Sequence, residues 1–180
     1  MLMTRDESVL LIIDVQERLA PAIHEGDRVA VNCAWLAGVA GRMAIPMVMT
    51  EHFPDKLGPT LGVVKTAAAG AQCVTKQWFS AQADGCLAAT AVEERNQVVM
   101  CGMESHVCVL QTALQLRWAG KEVFVVAEAC GSRDPADRDL AFARLHGHSI
   151  EIVSCEMVAF EWLQRGGTPA FREVNRDFIR

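Results

Sequence analysis

Short runs of consecutive apolar residues, rich in Val and Ile, alternate along this chain with longer stretches whose apolar positions recur every three or four residues. Residues 8–14 (SVLLIID) are apolar until an acid closes the run, the pattern of a strand buried on both faces. Residues 29–43 have helical spacing in Val29, Cys33, Leu36 and Ala40, and residues 45–50 read as the next strand. Residues 73–76 are a weaker strand candidate. Residues 84–95 read as a helix with Asp84 in the N-cap position. A strand over 97–102, a helix over 105–118 and a strand over 122–127 follow. Residues 135–146 have Pro at the first turn and Gly147 as a stop, so a helix is expected there. Residues 150–153 form the last strand, with a helix near 157–164.

Strands alternating with helices predict an α/β fold. The expected form is a three-layer α-β-α arrangement around a doubly wound, mostly parallel sheet of six strands, with residues 1–180 as a single domain. Residues 51–71 break the rhythm: they lack periodicity and carry Pro54, Gly58, Pro59, Gly62 and Gly70. A loop of that length in a compact domain is often functional. The residues after Gly166 are expected to form a short terminal helix or an arm onto a neighbouring subunit.

Composition narrows the function. Half of the 180 residues (51%) are hydrophobic, enough to bury a sizeable core without staples. Lys and Arg number 17 against 22 Asp and Glu, a formal charge of −5. That balance, with no basic run, argues against a nucleic-acid partner or an anionic membrane surface. The first apolar run is too short, and too soon broken by Asp14, for a signal peptide or a membrane span. Seven cysteines, an odd number with no CxxC pair, read as reduced thiols of a cytoplasmic protein. Six of them are expected to be small buried residues.

In open parallel sheets, ligands bind outside the carboxyl ends of the strands. Asp14 closes the first strand, Lys76 closes the third, and Cys108 follows Gly102 in the first turn of the next helix. Together they supply a base, a cation and a nucleophile at one sheet edge. A helix terminus contributes at most about 2 kcal/mol, which lowers a free thiol from about 8.5 to about 7. The thiolate is then only marginally populated unless the Lys76 ammonium supplies the rest. A carboxylate at Asp14 opposes ionisation, yet it can accept the thiol proton when substrate arrives. The competing readings are a core cysteine on a buried helix face, a strand-end charge at Asp14 and a solvated Lys76.

The blocks LLIIDVQERL, VTKQWFSA and VMCGMESHVCVLQTAL resemble the three signature blocks of the isochorismatase-like cysteine hydrolases. The run from GMESHVCV through FVVAEACGSRDP to EMVAFEWLQRGGTPAF is similar to the subgroup called isochorismatase domain-containing proteins. This resemblance spans nearly the whole chain. It implies Asp14 as general base, Lys76 as stabiliser of the triad and Cys108 as the nucleophile on a carbonyl carbon. It also implies a cis peptide between Met103 and Glu104, an oxyanion hole from the backbone N–H groups of Glu104 and Cys108, and a homo-oligomer. Gln16, Phe79 and Ser80 match family positions near the site. Nicotinamidases of this superfamily hold a metal through an Asp-x-His motif and a further His. The corresponding stretch here is Thr50-Glu51-His52-Phe53, so no metal is expected. Isochorismatase itself lacks the cysteine, so amide- or ester-type chemistry through an acyl-enzyme is the expectation.

With Gln16 and His106, the aromatic residues His52, Trp78 and Phe79 complete a candidate substrate pocket. For the aromatic ones, packing under the loop of residues 51–71 is the other reading. His106 lies two residues before Cys108, and on a helix such residues face different directions, so it is read as shaping the site rather than as a base. No glycine cluster has a nucleotide-binding form, and no cofactor is expected. A non-catalytic scaffold and a redox-responsive thiol protein are the function classes that compete with a hydrolase of a small molecule.

Overall fold

Every residue of strand β1 (Ser8–Ile13) is buried, because it lies inside a parallel sheet covered on both faces. The structure, a computed structural model, describes residues 1–179. Helix α1 (Gly26–Arg42) leads to β2 (Met47–His52), and short helices α2 (Pro54–Leu57) and α3 (Gly62–Ala67) lead to β3 (Gln72–Lys76). Helices α4 (Ala81–Asp84) and α5 (Ala91–Glu94) precede β4 (Gln97–Met103). A π-helical turn, Ser105–Val109, opens into α6 (Leu110–Trp118), which returns to β5 (Glu122–Gly131). Helix α7 (Pro135–Gly147), β6 (Glu151–Val153), α8 (Cys155–Leu163) and α9 (Pro169–Val174) complete the order, with a last turn at Asn175–Ile179.

All pairings among the six strands are parallel and their order is β3-β2-β1-β4-β5-β6. The chain first winds outward from β1 to β3, then crosses back to β4 and winds the other way. Right-handed crossovers therefore put α1 on one face and α6 and α7 on the other. The switch in winding direction falls between β1 and β4, where the connections leaving their carboxyl ends run to opposite sides and leave room for a ligand.

The expected architecture holds, and local details differ for identifiable reasons. No single helix spans 84–95, and Asp84 does not cap one. Ser80 and Thr90 cap α4 and α5, Gly85 (φ 83°) ends α4, and the Asp84 carboxylate accepts the N–H groups of Gln77 and Trp78. Residues 51–71 are no bare loop: Pro54 starts α2 and Gly58 (φ 77°) ends it before α3 begins. Gly147 still belongs to α7, and the left-handed turn comes at Ser149 (φ 59°). Strand β5 runs on past Ala127 because it absorbs an irregularity: β4 advances from Met100 to Gly102 while β5 advances from Val125 to Cys130.

Cys33, Cys101 and Cys130 are buried as expected, but Cys86 and Cys155 are half-buried and Cys73 is exposed. Cys73 lies on β3, an edge strand with open positions. The C-terminal turn packs on its own α1, with Trp35 Nε1 donating to the Phe178 carbonyl at 2.7 Å and Arg42 meeting Asp177 at 2.9 Å. Among the described residues no helix is long and apolar enough to cross a membrane.

Gly102 marks where β4 comes closest to β1. Its φ is 133°, and a Cβ there would stand 2.0 Å from the Ile13 carbonyl oxygen and 2.7 Å from the Ile13 nitrogen. Both are backbone atoms of a central strand and cannot move aside. Gly102→Ala is expected to destabilise by at least about 4 kcal/mol or to prevent folding. A thermal midpoint within 3 °C of the parent, at roughly 2–4 °C per kcal/mol, would refute this.

Candidate active site

Asp14 is the first residue beyond β1 and turns into the left-handed region, φ 50°, which aims its carboxylate across the carboxyl end of the sheet. Its N–H donates to the Thr50 carbonyl, and the Thr50 hydroxyl donates to Oδ1 at 2.6 Å. Lys76 ends β3, two strands away. Strands lie roughly 4.8 Å apart, so the gap is about 10 Å, which the extended lysine and the aspartate side chain close from opposite sides. Its Nζ reaches Asp14 Oδ2 at 2.7 Å, the Trp78 carbonyl at 3.2 Å and Cys108 Sγ at 3.6 Å. The contact with Oδ2 is an ion pair rather than an aligned hydrogen bond, since among the described residues that oxygen has no partner of hydrogen-bond geometry. Both side chains of the pair are 0% exposed.

Cys108 enters from the other side of the switch point, in the π-helical turn after β4. Such turns recur at functional sites because they break the regular helical ladder. The Met103–Glu104 peptide bond is cis. The Glu104 carbonyl accepts the N–H groups of Val107 and Val109, which folds the turn tightly around the sulfur. Cys108 is 4% exposed, so three residues from distant stretches of chain share one buried cluster.

The sequence left open whether Lys76 ionises the thiol, and burial decides it. Burial, reinforced by the Asp14 carboxylate, pushes the Cys108 thiol up to about 12, and the Lys76 ammonium only partly offsets this. Desolvation outweighs the helix terminus, and the resting sulfur is protonated at neutral pH. Burial and then the Lys76 charge push the His52 imidazole below its ordinary value, so it is neutral at pH 7.

The candidate pocket residues separate into distinct environments. Gln16 is fully buried and its amide is spent on backbone: Nε2 donates to the His52 and Gly58 carbonyls, and Oε1 accepts the His52 N–H. It braces the segment after β2 rather than facing a cavity. His52 packs edge-on to Phe53 (4.8 Å between centroids) and tilted against Phe79 (5.6 Å). Trp78 and Phe79 are 65% and 52% exposed, so neither is packed under the preceding segment. A cavity of about 410 Å³ opens beside them, lined by Phe53, Asp55, Lys76, Gln77, Trp78 and Asp84 among others. His106 turns away from Cys108: its Nδ1 is 2.9 Å from the Ser132 hydroxyl and its Nε2 is 3.7 Å from Asp137.

Several contributors went unread in the sequence. Thr50 holds Asp14, and Ser132, Arg133 and Asp137 strap the Cys108 turn to the start of α7, with Arg133 Nε donating to Glu104 at 2.6 Å. The polar residues directly after β5 were the available signal. Ser80 caps α4 and bonds Gln115 across to α6. Among the described residues no group of three His, Cys, Asp or Glu side chains is arranged to hold a metal.

A six-stranded parallel sheet flanked by helices is the fold shared with the isochorismatase-like hydrolases. The chain belongs to the isochorismatase family: residues 8–157 match the isochorismatase domain. Isochorismatase domain-containing protein 2 of Danio rerio is 34% identical over 170 residues, covering 94% of this chain and 85% of the relative. The structure of the MAR1 ribonuclease from Caenorhabditis elegans superposes with a TM-score of 0.93 at 28% identity, covering 100% of this chain and 93% of that one. The YcaC gene product of Escherichia coli, described as an octameric hydrolase of unknown specificity, superposes with a TM-score of 0.90 at 20% identity, covering 99% and 91%. Family membership supports a hydrolase activity.

The ion pair predicts a measurable coupling. Lys76→Met strands a buried carboxylate, at a cost of about 3–5 kcal/mol, or a fall in thermal midpoint of roughly 6–20 °C. The double variant Asp14→Asn/Lys76→Met is expected to recover more than half of that fall. Calorimetry on the single and double variants checks this, and purely additive effects would count against the pairing.

Proposed function

We propose that this chain is a cysteine-dependent hydrolase of small amide- or ester-type carbonyl compounds, working through a covalent acyl-enzyme with Cys108, Asp14 and Lys76 as its triad. The observation that carries the reading is the position of Lys76 Nζ, in contact with both the Asp14 carboxylate and the Cys108 sulfur inside a buried cluster. Buried ionisable groups gathered at the ligand-binding edge of a sheet are what acid–base and nucleophilic chemistry requires.

In this reading the resting thiol stays protonated until a carbonyl carbon is presented to it. As Sγ attacks, its proton passes to the Asp14 carboxylate, whose Oδ2 carries no competing hydrogen bond. Lys76 balances the charge around that transfer. The carbonyl oxygen gains the negative charge and is stabilised by the backbone N–H groups of Glu104 and Cys108. Support comes from the Glu104 N–H, which no carbonyl or side chain of the described residues accepts. Collapse breaks the bond to the leaving amine or alcohol, which takes the proton from Asp14. Asp14 then deprotonates water, the hydroxide attacks the thioester, and the acid leaves as Sγ recovers its proton.

The rest of the reading follows the same lines. One domain carries the whole site, and no cofactor takes part in these steps. A homo-oligomer is supported by the octamer described for the E. coli relative and by the exposed Trp78, Phe79 and Trp118. The ribonuclease described for the worm relative raises RNA as a second substrate class. The formal charge of −5 favours a small molecule over a phosphate backbone.

Cys108→Ala is expected to lower hydrolysis of small p-nitrophenyl esters and primary amides at least about 1000-fold, with a thermal midpoint within about 3 °C of the parent. Retained turnover would sink the assignment and favour a scaffold that keeps the fold. The raised thiol gives a second test. The rate of iodoacetamide labelling at Cys108, followed by peptide mass spectrometry, should climb tenfold per pH unit from pH 7 to about 10 with no plateau. Asp14→Asn removes a negative charge that raises the thiol, so its curve should shift to lower pH. A parent curve that levels off below pH 8 would mean a resting thiolate and a different mechanism.

A further inference from the structure

The turn that carries Cys108 contains an acid. In residues 103–110 (MESHVCVL) Glu104 is the only carboxylate, and it stands at the N-cap of the π-helical turn. Its carbonyl accepts the N–H groups of Val107 and Val109, while no carbonyl or side chain of the described residues accepts its own N–H. The Glu104 side chain is only 14% exposed. Covalent geometry keeps its carboxylate within about 6 Å of that free N–H. A negative charge so close to a donor for a developing oxyanion repels the oxyanion and weakens what the donor contributes.

Arg133 faces this charge. It lies in the short link between β5 and α7, and its Nε is 2.6 Å from Glu104 Oε1. The neighbouring acids of that link are engaged elsewhere: Asp134 accepts the Ala136 N–H, and Asp137 faces the His106 ring at 3.7 Å. Arg133 is 62% exposed, and an ion pair so open to water adds little to stability. The field of Glu104 toward Cys108, by contrast, passes through protein and is screened less than its field toward solvent. Holding the turn is thus the smaller effect of the pair, and cancelling a charge beside the sulfur is the larger.

We infer that Arg133 is a positioning residue that neutralises the Glu104 carboxylate and so keeps the Glu104 N–H effective as an oxyanion donor. This rests on the cysteine-hydrolase reading and adds to it a residue that acts on the reaction through Glu104. Without Arg133 the acid remains and its charge opposes the one that gathers on the carbonyl oxygen. Removing the acid as well removes the opposition.

The test compares two reactions of Cys108, each followed by mass spectrometry of its peptide. Acetylation by p-nitrophenyl acetate bonds Sγ to the acetyl carbon, passes the thiol proton to Asp14, expels p-nitrophenolate and builds an oxyanion on the way. Alkylation by iodoacetamide bonds Sγ to the methylene carbon, gives up the same proton, expels iodide and builds no oxyanion. The ratio of the two rate constants therefore isolates the stabilisation of the oxyanion. Arg133→Met is expected to lower the ratio about tenfold, with the alkylation constant within about twofold and the thermal midpoint within about 3 °C of the parent. Adding Glu104→Gln to Arg133→Met should raise the ratio again about tenfold. An unchanged ratio in Arg133→Met, a fall shared equally by both reactions, or no recovery in the double variant overturns the role of Arg133 and leaves the hydrolase reading intact. A parent Cys108 that takes up no acetyl group overturns both.

Discussion

Burying a carboxylate and an ammonium together costs several kcal/mol per ion in lost hydration, and their attraction repays it only when geometry and further hydrogen bonds are good. Asp14 and Lys76 meet those terms with a 2.7 Å contact, the Thr50 hydroxyl on one carboxylate oxygen, and the Trp78 carbonyl and Cys108 sulfur on the ammonium. Apart from the Trp78 carbonyl, two residues beyond Lys76, none of these partners is local in sequence. The pair therefore forms only when β1, β2 and β3 stand in their final register, and its geometry is tied to the sheet beneath it. A fold that satisfies this pair has also assembled the candidate site.

The same burial explains why the sulfur rests as a thiol. A low dielectric strengthens the ion pair and penalises a third charge beside it, and the nearer balance of Asp14 and Lys76 leaves no surplus positive charge to hold a thiolate. Cys108 thus differs from cysteines at exposed helix termini, where the terminus and solvent together stabilise the anion. In the proposed mechanism its reactivity is conditional on a substrate that completes the charge arrangement. The straps from Ser132, Arg133 and Asp137 hold the Cys108 turn in place, as the proposed nucleophilic role requires of a buried sulfur.

How much was legible in the letters depended on how local each feature was. Continuous apolar runs announced the central strands, because a parallel strand buried on both faces has no polar positions to spare. Asp14 stood out as a charge closing such a run, and Lys76 as the last residue of a weaker strand. The edge strand β3 was faint for the converse reason: its open positions carry polar residues, and Cys73 among them is exposed. Helices α4 and α5 were merged into one because four-residue helices leave too short a period, and Asp84 proved to serve backbone groups before it rather than after it.

What the sequence determined by itself was the fold class, the alternation of strand and helix, and the three residue types at strand ends on which a nucleophilic mechanism can be built. Tertiary structure alone decided their protonation and their company: that Lys76 reaches Asp14 from two strands away, that burial keeps Cys108 a thiol and that Gln16 faces backbone. Periodicity and motif spacing are carried by neighbours along the chain. Desolvation and hydrogen-bond satisfaction depend on atoms brought close through space, and only the assembled sheet says which those are.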